Sequence, residues 1–168
     1  MDIFGDNKFN ENSWEFSTHA KGPPGRIEFT AEQLASESSG NLFAQSQNVG
    51  MGWDPKKLWG TQYMILSTLG GMRGDDGRPI ALGHHTGHFE LGMLIEAVAN
   101  EIRDNNGIPY SAYCSDPCDG RSQGTSGMMD SLPYRNDAAI VMRRLSRSIP
   151  TTKGIMGIAT CDKGLPAM

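Results

Sequence analysis

Residues 63–69, Tyr63-Met64-Ile65-Leu66-Ser67-Thr68-Leu69, form a compact apolar run closed by Gly70-Gly71. A run this short and apolar, bounded by glycines, reads as a strand buried in a parallel sheet. Downstream, Phe89, Met93, Leu94, Ala97, Val98 and Ile102 recur at helical spacing, and Asn105-Asn106-Gly107 ends the pattern. Residues 109–114, Pro109-Tyr110-Ser111-Ala112-Tyr113-Cys114, read as a second strand. A second helix is predicted from Leu132 to Ser148: Asp130 or Ser131 can cap it, Pro133 suits its first turn, and Ile140, Val141 and Leu145 supply its apolar face. Arg143, Arg144 and Arg147 then sit near its negative dipole end. Residues 153–160, KGIMGIAT, read as a third strand. The series is βαβαβ, and right-handed crossovers turn it into an α/β fold with a parallel sheet covered by helices on both faces.

Upstream the pattern is different. Residues 1–52 read as an irregular N-terminal arm, with scattered aromatics (Phe4, Phe9, Trp14, Phe16), a Gly22-Pro23-Pro24-Gly25 break and one short helix from Thr30 to Ser36 capped by Thr30. Residues 53–168 form the α/β part. The chain has 168 residues and a formal net charge of -4, which argues against a nucleic-acid partner held by bulk positive charge. No run of about 18 apolar residues is present to span a membrane. The N-terminus has neither a basic start nor an apolar core of a signal peptide, and three cysteines are too few and too odd in number for a disulfide framework. A cytoplasmic protein with reduced thiols is expected. The 21 glycines and 9 prolines gather in loops between the apolar runs, where backbone must turn tightly or approach a ligand.

The loops after the three strands carry the chemistry. After the first come glycine-rich turns and His84-His85-Thr86-Gly87-His88; after the second, Cys114-Ser115-Asp116-Pro117-Cys118-Asp119-Gly120; after the third, Cys161-Asp162-Lys163. Ligands of open parallel sheets bind outside the carboxyl ends of the strands, so three clusters of metal-capable side chains are expected to converge on one edge. Cys161 precedes a helix, and a helix N-terminus lowers a thiol's pKa, which makes it a candidate thiolate; a buried structural cysteine is the competing reading. Cys114 and Cys118 form C-x3-C, compatible with a metal site or with two unligated loop thiols. Asp119 and Asp162 each adjoin a cysteine; hard oxygen and soft sulfur donors side by side fit two metals of different hardness, while helix capping explains either aspartate alone. His84, His85 and His88 lack the H-E-x-x-H pattern of a zinc hydrolase; His88 is expected to start the helix and His85 to face the site. No P-loop or G-x-G-x-x-G is present for a nucleotide.

Asp119-Gly120-x-Ser122-x-Gly124-Thr125-x-Gly127-Met128-x-x-Ser131-Leu132-Pro133-x-Arg135, followed by Cys161-Asp162-Lys163-x-x-Pro166, closely resembles the dihydroxy-acid and 6-phosphogluconate dehydratase family. Gln47-Asn48-Val49-Gly50-Met51-Gly52-Trp53, His85-Thr86-Gly87-His88 and the run from Tyr113 to Gly120 resemble its D-xylonate dehydratase branch. The resemblance implies a hydro-lyase that removes water from a sugar acid, D-xylonate in that branch, to give a 2-keto-3-deoxy acid. The dihydroxy-acid and 6-phosphogluconate activities of the same family are the alternatives. It implies an Fe–S cluster, [2Fe-2S] or [4Fe-4S], as Lewis acid, and Mg²⁺ held by Asp119, Asp162 and a carbamylated Lys163. Cys161 is a cluster ligand by resemblance. The second ligand is Cys118, Cys114 or His85, because His85 stands where the wider family has cysteine and Cys118 where it has serine. The family's chains are several times longer and this sequence stops inside the signature. A further cluster cysteine, the serine base at C2 and a β-rich C-terminal domain are therefore expected beyond Met168, and the 168-residue chain alone is expected to be inactive. A homo-oligomer, dimer or tetramer, is the family's habit. A different class of function stays open beside it: a zinc-stabilised binding module in which Cys114, Cys118, Cys161 and one histidine close a structural site.

Overall fold

The computed structural model describes residues 22–25 and 27–168. The arm's aromatics Phe4, Phe9, Trp14 and Phe16 lie outside the described residues. The chain divides into two compact units, up to Gly60 and from Thr61 onward.

In the first unit, helix α1 spans Ala31–Ser36. Thr30 caps it: the hydroxyl accepts from Gln33 N, and the Gln33 side chain accepts from Thr30 N, closing a reciprocal box. A second helix, α2 (Ser39–Gly50), follows with Ser38 as cap. Composition hid this helix, since its buried residues are Gln45, Ser46, Asn48 and Val49, three of them polar. Ile27, Val49 and Leu58 form a small apolar cluster with Phe29 and Trp53 against it.

The second unit is the α/β body. Strand β1 (Gln62–Ser67) is its centre; Met64, Ile65, Leu66, Ser67 and the following Thr68 are all buried. It ends two residues earlier than its apolar run. A short antiparallel hairpin, β2 (Met72–Arg73) and β3 (Pro79–Ala81), lies between β1 and α3 (Thr86–Asp104). Then come β4 (Ile108–Tyr113), the short α4 (Asp119–Ser122), α5 (Ser131–Ser146), β5 (Gly154–Ile158) and α6 (Cys161–Ala167). The parallel sheet has the order β4-β1-β5. The crossover through α3 therefore runs one way from β1, and the crossover through α5 runs back past it. With both right-handed, the helices cover opposite faces, as the βαβαβ reading requires. Between β1 and α5, Leu66, Ala138 and Met142 form the apolar core, with Ala112, Cys114, Tyr134 and Leu145 packed against it. Among the described residues no helix is long and apolar enough to cross a membrane.

Candidate functional site

This strand order puts the switch point beside the carboxyl end of β1, where connections leave in opposite directions and ligand crevices form. Residues at that end are tied together by their backbone. Thr160 N donates to Thr68 Oγ1 (3.1 Å), Cys114 N to Ser67 O (2.9 Å) and Gly70 N to His88 O (3.2 Å). Three loops are thus pinned to one strand end. Gly164 lets α6 come closest: a Cβ there would lie 2.9 Å from Thr68 Cγ2 and 3.0 Å from Asp116 Oδ2.

Cys161 opens α6 with φ 66, the left-handed region that a side chain disfavours. Residues held this way cost about 1–3 kcal/mol and cluster at functional sites. Its Sγ lies 2.6 Å from His85 Nε2, and Cys118 is among the neighbours that act on the same thiol. The expected lowering of its pKa is not realised. Burial, then the neighbouring Cys118 and Asp116, pushes the Cys161 thiol up to about 11.

His85, not His88, caps α3: the helix starts at Thr86 and the His85 Nδ1 accepts from Gly87 N (2.8 Å). His88 sits one turn inside, fully buried. Its Nε2 lies 2.6 Å from Asp116 Oδ1, and both side chains are 0% exposed. His88 Nδ1 and Asp116 Oδ2 are buried with no hydrogen-bond partner. Burial raises the Asp116 pKa against the opposing hydrogen bond from His88. Such orphaned atoms are rare in a folded protein and mark a place where something else is meant to bind or where strain is kept. Among the described residues, His85, His88 and Cys161 offer three donor atoms that all lie within 4.8 Å of one another.

A second, oxygen-rich group lies beside the thiols. Asp119, the first residue of α4, accepts from the Ser131 hydroxyl and faces Lys163 Nζ at 3.3 Å; Asp162 reaches the same carboxylate. The Ser131 hydroxyl, with help from Lys163, holds the Asp119 carboxyl below its ordinary pKa. Ser131 therefore serves Asp119, and the Asp130 side chain makes no cap hydrogen bond to α5.

The three cysteines do not form one site. Cys114 packs in the apolar cluster under α5, near Tyr134, whose hydroxyl donates to Ser115 O, and burial raises its thiol pKa. A three-cysteine zinc site is not assembled by this fold. The sequence placed Asp116 only in the loop after the second strand, between Cys114 and Cys118. Its pairing with a histidine 28 residues away depends on the tertiary fold, and no local pattern signals it.

The sequence model described as the dihydroxy-acid/6-phosphogluconate dehydratase N-terminal family matches residues 81–168. The chain is 63% identical over 150 residues to the D-xylonate dehydratase YagF of Escherichia coli (strain K12), covering 89% of this chain and 23% of that protein. It is 57% identical over 150 residues, with the same coverage, to the D-xylonate dehydratase YjhG of the same organism. A dihydroxy-acid dehydratase of Methanococcus vannielii is 38% identical over 82 residues, 49% of this chain and 15% of that protein. The chain thus spans about a quarter of the length of the two D-xylonate dehydratases. The matched span begins at β3 and includes every donor around the β1 end from His85 to Lys163, and on that ground the chain belongs to the dihydroxy-acid/6-phosphogluconate dehydratase family.

Proposed function

We propose that this chain carries the N-terminal metal-binding part of a sugar-acid dehydratase that eliminates water from an aldonic acid, D-xylonate, to give a 2-keto-3-deoxy acid. The observation that carries the reading is the side-by-side placement of soft and hard donors: Cys118 with Cys161, and Asp119 with Lys163 and Asp162. Soft thiolates suit iron–sulfur clusters and hard oxygens suit Mg²⁺. Greater identity to D-xylonate dehydratases than to dihydroxy-acid dehydratases supports the substrate.

The residues fit both groups. Cys118 and Cys161 would hold an Fe–S cluster, and Asp119, Asp162 and a carbamylated Lys163 would hold Mg²⁺. Carbamylation turns a cation, now paired with Asp119, into an anionic oxygen donor, which removes a repulsion from a divalent ion. When bound, the two metal groups supply Lewis acidity to the leaving hydroxyl and to the substrate's carboxylate side. Ser131 holds Asp119 in its ionised, acceptor form, and Gly164 lets the Cys161-Asp162-Lys163 segment lie against the β1 end. The homo-oligomer expected of the family, a dimer or tetramer, and a cytoplasmic location belong to the same proposal.

The test is the full-length protein reconstituted anaerobically with iron, sulfide and Mg²⁺. Iron, acid-labile sulfide, visible absorption and release of a 2-keto-3-deoxy acid from D-xylonate are the expected results. Stoichiometric zinc without sulfide, or bound cluster with no turnover of any aldonic acid, would overturn it.

A further inference from the structure

We propose that His85 is a hydrogen-bond donor to the Cys161 sulfur, a positioning residue for that thiolate, and not a metal ligand. The inference rests on the metal-site reading above, yet its main evidence is the wiring of one imidazole. His85 Nδ1 accepts the Gly87 N–H at 2.8 Å, so that nitrogen carries no proton. The ring's single proton then sits on Nε2, which points at Cys161 Sγ 2.6 Å away. A histidine that ligates a metal through one nitrogen normally gives the proton of its other nitrogen to an acceptor. His85 has a donor at that place instead.

Local structure fixes this arrangement. Gly87 leaves room for the ring: a Cβ there would fall 2.7 Å from His85 Cε1 and 3.0 Å from Nδ1. His85 is also the N-cap of α3, so its acceptor nitrogen satisfies one of the helix's free N–H groups. His88, whose ring centroid is 4.2 Å from that of His85, has different partners. Its Nε2 faces a carboxylate and its Nδ1 is buried without a partner. Both imidazoles therefore hold a proton on Nε2, given to a carboxylate by His88 and to the thiol by His85, and they differ in what meets Nδ1: a backbone N–H at His85 and no hydrogen-bond partner at His88. N–H···S bonds to a cluster's cysteine sulfur tune its reduction potential by spreading the sulfur's charge.

The experiment uses ¹⁵N-histidine-labelled full-length protein. Imidazole ¹⁵N shifts of the metal-free form are expected to report His85 as the Nε2–H tautomer; an Nδ1–H tautomer would overturn the proposal. Pulsed EPR of the reduced, reconstituted cluster should show only weak nitrogen coupling from His85. A strong, directly bonded coupling that vanishes in His85→Gln would overturn it as well. His85→Asn keeps a capping acceptor but lacks the reach to sulfur, and is expected to retain full iron content with a lowered midpoint potential. His85→Gln, which restores an N–H at longer reach, is expected to recover part of that shift. Loss of iron in His85→Asn with folding intact would count against a donor role. A wild-type protein that takes up no iron or sulfide would sink the metal reading, while the tautomer measurement would still decide the state of His85.

Discussion

The two sides of β1 are buried to the same depth and filled with opposite chemistry. Toward α5, Leu66 packs on Ala138 and Met142, with Cys114 and Tyr134 around them. At the carboxyl end, toward the start of α3 and α6, the fully buried side chains are Ser67, Thr68, His88 and Asp116. The first side releases free energy by removing apolar surface from water. The second loses the hydration of polar groups and recovers it only in part, since His88 Nδ1 and Asp116 Oδ2 stay unpaired. One region therefore stabilises the fold, and the other is stability given up for chemistry. The difference can be tested by substitutions on each side.

The largest effect is expected from Leu66→Ala. Leu66 is 3% exposed, and truncating a buried leucine costs about 2–5 kcal/mol. The urea midpoint should fall accordingly, while iron bound per folded molecule stays unchanged. A matching loss of iron would mean that the two sides are not separable.

Asp116→Ala comes next, at about 1–3 kcal/mol, because it leaves the His88 N–H buried without an acceptor. The double variant His88→Leu with Asp116→Leu should recover most of that stability, since an apolar pair leaves no unsatisfied group. Iron and sulfide content should fall in both variants. Stability measured by urea denaturation beside iron content by colorimetry separates the two roles. If the double variant is no more stable than Asp116→Ala, the pair contributes to the fold and the contrast with the α5 side fails.

Gly164→Ala should cost about 1–3 kcal/mol as an overpacked contact, toward the lower end because the Thr68 methyl can shift. Its clearer signature is at the site. Moving α6 away from β1 carries Cys161, Asp162 and Lys163 with it, so metal retention should drop more than stability predicts. Iron content after gel filtration is the measurement.

These contrasts also explain which parts could be read in the sequence. The elements on the apolar side were legible: the run at β1 and the spans of α3 and α5 follow hydrophobic period, and the structure keeps them within two or three residues. The positions of Asp119, Asp162 and Lys163 after strands were legible for the same reason. The faces of α3 and α5 were not: Asp130 makes no cap bond and Ile140 and Val141 are exposed while α5 buries Ala138 and Met142, and Met93 and Leu94 are exposed while α3 buries His88, Leu91 and Ile95. Helix α2 was not, because its buried face is built from Gln45, Ser46 and Asn48. The β2–β3 hairpin was not, because two- and three-residue exposed strands carry no period. Nor was the thiol environment of Cys161: the helix-terminus argument is local, whereas the two neighbours that raise its pKa beside its burial, Cys118 and Asp116, arrive from the segment after β4. Local patterns report secondary structure, and site electrostatics depends on which strand ends are brought together.

The smallest effect is expected from Cys114→Ala, and it is the sharpest test because two cysteines four residues apart fall on different sides. Cys114 lies half-buried against the apolar cluster, and Cys118 is 6% exposed beside Cys161. Removing one sulfur from Cys114 should cost about 0.5–1 kcal/mol, the scale of one buried methylene, and leave iron content at the wild-type level. Cys118→Ala removes a side chain of the same size, so its effect on the urea midpoint should be similarly small, yet iron and sulfide retention should be lost. Equal size with unequal metal content isolates the chemistry from the packing. If Cys114→Ala loses as much iron as Cys118→Ala, then Cys114 turns toward the metal in the loaded protein, and the line drawn between the two sides of β1 has to be moved.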